Sequence, residues 1–202
     1  MLILKLLVLP VLLSLGLFST AQETQPAEQQ ETQPAEQKAF EIDTVHSTAI
    51  FKALHKGVGM FYGRFNDVTG SIGADGDMPS FNVSIAIDSV DTSNEKLDAH
   101  LKSPDFFNAV EFPSMSFKSN SAKKIGDSKY ELIGSITMHG ITKPLTVTMT
   151  KTGQATGRRG EMVGYETEFV LTRSDFGMTY GVESGSLSDK VTVIVALEAS
   201  RK

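Results

Sequence analysis

The sequence contains no cysteine and no tryptophan, and it has only four histidines in 202 residues. Without cysteine, disulfides, thiol catalysis and zinc–thiolate sites are all excluded, so a folded domain must be stabilised by packing alone. Basic residues are also few. Nineteen Lys and Arg face 24 Asp and Glu, the net charge is −5, and no basic block is present. This balance argues against a nucleic-acid-binding protein.

The N-terminal segment is typical of a secretory signal peptide. A single lysine, Lys5, precedes an almost wholly apolar run over residues 6–18, and the small residues Ser19 and Ala21 follow it. This order predicts a signal peptide over residues 1–21, cleaved after Ala21, and therefore export. The alternative is a permanent membrane anchor, but the run is shorter than the ~20 residues that a spanning helix needs.

Residues 22–39 contain an internal duplication. The octet Glu23–Gln30 (ETQPAEQQ) is followed by Glu31–Lys38 (ETQPAEQK), and neither copy has an apolar residue larger than alanine. Such a segment buries too little surface to offset the entropy of ordering, which predicts a flexible linker. The remaining residues, 40–202, are enough for one domain with a sizeable core.

Apolar and polar residues alternate with a period of two through most of this domain, which predicts an all-β fold. The segments are Phe81–Ile87, Leu132–Met138, Leu145–Met149, Tyr165–Leu171 and Val191–Leu197, with further candidate strands at Thr48–His55, Phe61–Ile72 and Ser114–Ser119. About eight strands joined by turns close into an antiparallel barrel or fold into a sandwich. An eight-stranded barrel has an interior that holds side chains or one small ligand.

One helical insertion interrupts the strands, between Asp91 and Met115. Thr92 or Ser93 can cap a first helix, and Leu97 and Leu101 then share one face. Ser103-Pro104 is a second start signal, with a cap followed by proline. The sequence therefore predicts two short helices across the barrel mouth. They are either a lid with aromatic lips or an ordinary plug over the core.

The histidines and serines do not form a convincing catalytic set. His46 and His55 are nine residues apart, which places them on opposite faces of a regular strand and disfavours a metal site. A local cluster of Asp43, His46 and Ser47 that fixes the first strand is favoured instead. The G-x-S-x-G signature of a hydrolase elbow is absent. His139 lies between two alternating runs, and we predict a hairpin corner where it hydrogen-bonds to backbone. We predict no catalytic residue, no metal site and no cofactor.

The inward positions are apolar, which suits a cavity for a lipid-like ligand. We expect large aromatic and aliphatic side chains to line it. They are Phe51, Phe61, Ile85, Ile87, Phe106, Phe107, Met115, Phe117, Met138, Met149 and Phe169. Eight methionines and twelve phenylalanines in the chain suit a pocket that adapts to a flexible ligand. The alternative for each of these residues is a ligand-free core.

Five ordered blocks carry a resemblance to a known family. They are DTVHSTAIFKALHKGVGMFYGRFNDVTGSI (residues 43–72), IDSVDTSNEKLDAHLKSPDFFNAVEFPSMSFKS (87–119), GSITMHGITKPLTV (134–147), LTRSDFGM (171–178) and LSDKVTVIVALEA (187–199). From residue 40 to about 199 the chain resembles the YceI-like, polyisoprenoid-binding family of bacterial periplasmic proteins. One departure is GVGMFYG, because family members usually carry a polar residue near Gly59.

The resemblance implies a lipocalin-like, eight-stranded antiparallel barrel in a periplasmic protein without catalytic residues. It also directs attention to Asp98, His100 and the Phe106-Phe107 pair as residues near the pocket. The candidate polar groups of the mouth are His55, Asp98 and His100. The expected ligand is a polyisoprenoid, an isoprenoid quinone or another long-chain amphiphile.

The expected role is that of a carrier for transport, storage or stress response. Its partner would be the long-chain lipid, with transient membrane contact, no nucleic acid, and a monomeric or homodimeric state. One alternative is a stress-response interaction protein that uses the duplicated segment as a tether. The other is a small hydrolase or redox enzyme that uses His55 or His100.

Overall fold

The structure is a computed structural model, and it describes residues 39–73, 78–158 and 160–201. The predicted signal peptide and residues 22–38 of the predicted linker lie outside the described residues. Ala39, which the sequence assigned to the linker, begins the first strand and pairs with Gly73.

The described residues form eleven strands and one α-helix. The strands are β1 (Ala39–Ile42), β2 (Thr48–His55), β3 (Gly59–Phe65), β4 (Val68–Gly73), β5 (Ser80–Ala86), β6 (Val90–Asp91), β7 (Ser114–Lys124), β8 (Lys129–Met138), β9 (Ile141–Gly157), β10 (Gly160–Thr172) and β11 (Leu187–Arg201). The helix α1 is Glu95–Lys102, and short 3-10 turns occupy Ile87–Ser89 and Arg173–Phe176. Within the described part of the chain, no helix is long and apolar enough to cross a membrane.

The strands close into an eight-position antiparallel barrel. β11 pairs with β10 on one side and with β1 and β2 on the other. Three of the eight positions in the ring are each occupied by two short strands, one above the other. β1 and β2 share the first, β3 and β4 the second, and β5 and β6 the third. The pairings show this, because β4 pairs with β1 and β5, while β3 pairs with β2 and β6. Strands β7 to β10 complete the ring. The predicted eight-stranded antiparallel barrel is therefore confirmed, and the sandwich alternative is wrong.

At each of these three positions a short non-strand segment separates the two strands, and the three segments lie next to one another in the sheet. The interruptions are residues 43–47, 66–67 and 87–89. The second and third are joined by backbone hydrogen bonds, from Asn66 N to Ser89 O at 3.2 Å and from Ala86 N to Asp67 O at 3.0 Å. The predicted continuous strand Phe61–Ile72 is therefore two strands, because the Asn66-Asp67 pair leaves the ladder.

The end of the barrel away from α1 is filled by side chains. Phe40, Ile72 and Leu132 are almost completely inaccessible to solvent there. The rings of Phe81 and Tyr165 meet edge to face with centroids 5.1 Å apart. Burial, together with the neighbouring Tyr130, raises the pKa of Tyr165 to about 12. This packed end stabilises the barrel without disulfides, as the absence of cysteine requires.

Helix α1 lies at the opposite end, and its N-terminus differs from the prediction. Asn94 is the cap, and its side chain accepts a hydrogen bond from Leu97 N at 3.1 Å. Thr92, a predicted cap, instead donates from its backbone N–H and its hydroxyl to the Asp98 carboxylate, at 2.8 and 2.6 Å. Leu101 is buried, as the four-residue spacing of leucines indicated.

The second predicted helix, starting at Ser103-Pro104, is wrong. Residues 103–112 form a series of turns. Phe106 N donates to Ser103 O and Phe107 N donates to Leu101 O, each at 3.0 Å, so the chain folds back on α1. Asn108 then adopts a left-handed conformation with φ of 48°, which ends any helical continuation. The turns present Phe106 and Phe107 to the barrel interior.

The predicted hairpin corner at His139 is confirmed. His139 and Gly140 have φ of 52° and 73° between the paired residues Met138 and Ile141, which is the backbone of a two-residue type I′ turn. The His139 ring nitrogen Nδ1 lies 2.9 Å from the carbonyl of Phe176, so Nδ1 carries the proton and donates. This bond connects the corner to the 3-10 turn after β10.

Replacing Gly140 with alanine should destabilise the barrel by about 2–4 kcal/mol, which combines left-handed strain with displacement of an aromatic ring. A Cβ at Gly140 would lie 2.6 Å from the Phe112 ring. Gly185→Ala is the matched control, because Gly185 has φ of 68° but no atom within 4 Å of an added Cβ. It should lose about 1 kcal/mol. Urea unfolding of both variants measures the difference, and equal losses would contradict a packing role for Phe112.

Candidate functional site

A largely apolar cavity of about 530 Å³ occupies the half of the barrel next to α1. Its walls come from the inward faces of β2, β3, β5 and β7 to β11, because alternate residues of each strand point to the interior. Helix α1 and the turns after it contribute Leu97, Leu101, Phe106 and Phe107. The volume lies in the range typical of small-molecule sites, roughly 300–1,000 Å³.

The structure brings together ten of the eleven residues that we expected at the ligand. The residues on the cavity wall are Phe51, Phe61, Ile85, Phe106, Phe107, Met115, Phe117, Met138, Met149 and Phe169. They come from seven strands and from the turn after α1. Their role in ligand binding stays a prediction.

Two expected residues are not on the wall. Ile87 is buried but lies in the 3-10 turn after β5, where the chain leaves the strand and the alternation that aims Ile85 into the cavity ends. Asp98 is also absent from the wall, because its carboxylate accepts both hydrogen bonds from Thr92. Asp98 therefore stabilises the start of α1.

Polar and exposed residues surround the cavity at one end, which we call the mouth. His55 and Lys56, at the end of β2, and Tyr180, after β10, line the cavity and are solvent-exposed. The His100 ring contacts Phe106 and Tyr180 edge to face, each with centroids 5.0 Å apart, and its Nε2 lies 2.9 Å from Asp105 Oδ2. Since these wall residues reach solvent, the cavity opens here.

Two glycines allow phenylalanine rings to lie flat on the wall. Gly63 is paired with Phe51 across β2 and β3, and an added Cβ would overlap the Phe51 ring. Gly134 on β8 is paired with Ser119, and the Phe117 ring, from two residues earlier on β7, would lie 2.7 Å from an added Cβ. Because each ring occupies the place of a missing side chain, the space in the centre of the barrel stays open.

Arg173 is a residue whose importance the sequence did not indicate. It lies at the end of β10, lines the cavity and is only 7% exposed. Its guanidinium donates to the Ser188 carbonyl from Nε at 3.0 Å. Nη1 donates to Met178 O at 3.2 Å and Tyr180 O at 3.3 Å, and Nη2 donates to Tyr180 O at 3.2 Å and Leu187 O at 3.4 Å. All five donors are used, so Arg173 fixes the connection between β10 and β11.

Among the residues that the structure describes, no carboxylate is in direct contact with the Arg173 guanidinium. Burial lowers the pKa of its guanidinium, and the field of Asp189 opposes this change. The Asp189 carboxylate instead accepts hydrogen bonds from the hydroxyl and the backbone N–H of Ser174, at 2.7 and 2.9 Å. These bonds, together with the nearby Arg173, hold the pKa of Asp189 below its usual value.

Three side chains that can bind metal meet outside the cavity, at the interruption between β1 and β2. Asp43, His46 and Glu198 have ligand atoms within 4.8 Å of one another. His46 Nδ1 lies 3.0 Å from Asp43 Oδ2, and the Ser47 hydroxyl donates to Glu198 O at 3.2 Å. The hydrogen bond to His46 is the largest cause that lowers the pKa of Asp43. This is the predicted local cluster, and it fixes the interruption against β11.

The fold, the cavity and the ordered blocks agree with a comparison against known families. The model of the YceI-like domain matches residues 40–199, most of the chain. The chain belongs to the YceI-like family. Among its relatives, Protein YceI of Salmonella arizonae is 35% identical over 157 residues, which cover 76% of this chain and 81% of the relative.

Solved structures share the YceI-like fold. The crystal structure of Burkholderia cenocepacia BcnA superposes with a TM-score of 0.71 at 19% identity, and covers 79% of this chain and 99% of BcnA. A polyisoprenoid binding domain from Saccharophagus degradans, implicated in plant cell wall breakdown, has a TM-score of 0.67 at 14% identity, with 82% and 99% covered. At these identities the likeness supports the fold alone.

Proposed function

We propose that this YceI-like protein binds the chain of a polyisoprenoid, an isoprenoid quinone or another long-chain amphiphile inside the barrel and carries it. The observation that carries the proposal is the cavity of about 530 Å³, whose wall is largely apolar and whose ionisable groups, His55, Lys56, His100 and Arg173, lie toward one end. A long apolar chain with one polar end matches that distribution. A protein of the same fold is described as a polyisoprenoid binding domain, so this fold is compatible with the proposed ligand class.

The size of the cavity sets the length of chain that it encloses. An apolar protein cavity of ~150 Å³ holds one benzene ring, or about 25 Å³ per carbon atom. A cavity of about 530 Å³ therefore encloses roughly 20 carbon atoms, which is about four prenyl units. A longer chain would extend through the mouth or widen the cavity.

Burial of the chain supplies the affinity. At ~0.8 kcal/mol per buried methylene, each five-carbon unit contributes roughly 3–4 kcal/mol before the cost of ordering the chain. Methionine and phenylalanine side chains on the wall adapt to the bends of a flexible ligand. Affinity therefore requires no hydrogen bond to the hydrocarbon part.

We propose binding without catalysis. His100 is hydrogen-bonded to Asp105, but within the described residues no serine or threonine hydroxyl donates to His100 or to His55. An acid–histidine pair without a nucleophile within hydrogen-bond reach lacks the arrangement of a hydrolase.

The proposed setting is the periplasm, with transient contact between the mouth and a membrane. Two apolar side chains in the segments around the mouth are almost fully exposed: Val58, in the turn after β2, at 89%, and Val110, in the turns after α1, at 99%. Tyr180 at the mouth is 47% exposed. Exposed apolar groups next to a lipid cavity favour contact with the source of the lipid.

Solvent extraction and lipid uptake test the proposal together. Purified protein is extracted with organic solvent, and a second sample is incubated with phospholipid vesicles that contain an isoprenoid quinone, separated from them and extracted in the same way. We expect mass spectrometry to find a prenyl or long-chain lipid in the first extract and the quinone in the second. Absence of lipid from both extracts would contradict the proposed function.

A further inference from the structure

The cavity wall carries charge of only one sign. The whole chain is acidic, with a net charge of −5, yet among the described residues no aspartate or glutamate lines the cavity. The wall residues that can carry a positive charge are His55, Lys56, His100 and Arg173. Asp105 pairs with His100 from outside the wall, and Glu183 lies exposed in the turn between β10 and β11.

Two of these basic groups stand free at the opening. Lys56 follows β2 in a left-handed conformation, with φ of 51°, and its backbone N donates to Ser186 O at 3.0 Å. This bond fixes the position of the residue, while its ammonium group makes no ion pair or hydrogen bond with another described residue. The imidazole of His55 likewise has no partner in the described ranges. Both side chains are available to a ligand.

Arg173 would attract an anionic ligand through its electrostatic field and not through a direct contact. All five of its donors are occupied by neutral carbonyl oxygens, so the guanidinium cannot bind a ligand without releasing the backbone. Its positive charge nevertheless lies at the cavity wall and is 93% shielded from solvent by the fold, since the residue is 7% exposed. Charges in such surroundings act over longer distances than charges in water.

We propose that the ligand carries an oxyanion head group, a carboxylate or a phosphate, held at the mouth by Lys56 and His55. The inference rests on the proposed function, because the apolar chain must occupy the cavity for its head to reach the mouth. An anionic head gains charge-assisted hydrogen bonds from the two free side chains and attraction from Arg173. A cationic head would be repelled by the basic residues of the wall, which among the described residues carries no carboxylate.

Four probes test this proposal, because they have the same prenyl chain and differ only in the head group. Geranylgeraniol, geranylgeranoic acid, geranylgeranyl phosphate and geranylgeranylamine each have the four prenyl units that the cavity encloses. In titrations of purified protein at low salt, the acid or the phosphate should bind about tenfold more tightly than the alcohol, and the amine more weakly. High salt should reduce this preference, because the mouth is exposed.

Substitutions locate the head group. In Lys56→Gln the preference for the anionic probe over the alcohol should fall from about tenfold to about twofold. Lys190→Gln removes an exposed lysine of β11 that is not on the cavity wall and should keep the full preference. A preference that survives Lys56→Gln intact would overturn the assignment to this residue.

The outcomes separate the two proposals. Equal affinity for the alcohol, the acid and the phosphate would overturn the head-group proposal and leave the proposed function in place. Failure of all four probes to bind would contradict the proposed function itself. Tighter binding of either anion supports an oxyanion head, and the tighter of the two identifies whether that head is a carboxylate or a phosphate.

Discussion

The Ala53→Phe variant should lose prenyl-chain binding by roughly 100-fold while the barrel stays folded. Ala53 is on β2, lines the cavity, and lies two residues before His55 at the mouth. A phenyl ring there would fill space equivalent to about six of the roughly 20 carbon atoms that the cavity holds. The displaced prenyl unit alone accounts for about 3–4 kcal/mol of gross affinity.

The neighbouring residue provides the control for this variant. The side chain of Leu54 is on the opposite face of β2, is 37% exposed and does not line the cavity. Leu54→Phe should therefore bind geranylgeraniol as tightly as the natural protein does. Thermal unfolding should show that Ala53→Phe without ligand is at least as stable as the natural protein, because the ring fills a void. Undiminished binding by folded Ala53→Phe would place the ligand outside the barrel.

Arg173→Met should lower the free energy of unfolding by about 3–5 kcal/mol, the largest stability effect that we expect from one substitution. Methionine matches the aliphatic stem of arginine but supplies no donor. The carbonyls of Met178, Tyr180, Leu187 and Ser188 would then lose a buried partner. The connection between β10 and β11, which forms part of the mouth, would lose its anchor.

Two comparisons distinguish this effect from the loss of a charge. Arg173→Lys keeps the charge but has three donors and no planar fork, so it should lose about 2 kcal/mol. Arg64→Met removes an exposed arginine that lies 3.5 Å from Asp91, and it should lose less than about 1 kcal/mol. Urea unfolding of the three variants gives these values. Equal losses in Arg173→Met and Arg64→Met would contradict the anchoring role of Arg173.

Period-two alternation predicted most of the barrel and most of its inner wall. In β5, the spacing of Phe81, Val83 and Ile85 fixes one face as buried, and the structure buries all three. The same rule placed Met149 and Phe169 on the wall. Alternation is reliable there because a strand that shifts by one residue would expose its whole apolar set.

The alternation did not predict where the strands are interrupted. Ile87 continues the alternation of β5 in sequence, but β5 ends at Ala86 and Ile87 begins a 3-10 turn. Asn66 and Asp67 interrupt another predicted strand because their backbone groups pair with residues 86 and 89, which is a long-range arrangement. A local sequence window contains no record of those partners.

The helix cap and the Arg173 hydrogen bonds near the mouth could not be predicted from the sequence either. Asn94 rather than Thr92 caps α1, and Thr92 instead donates its hydrogen bonds to the side chain of Asp98. The four carbonyl acceptors of Arg173 come from the irregular connection after β10 and from the first two residues of β11, up to 15 residues further along the chain. Irregular segments have no periodicity, so the residues that meet in them are known only from the three-dimensional structure.

The most direct test of the central claim is a crystal structure of the protein with geranylgeraniol. The alcohol has no charged head, so its position reports chain binding independently of the proposed head group. We predict continuous density for the chain inside the barrel, against Phe51, Phe117 and Phe169, with the hydroxyl end toward His55 and Tyr180. A chain bound only on the outer surface, with the interior closed by repacked side chains, would contradict the account.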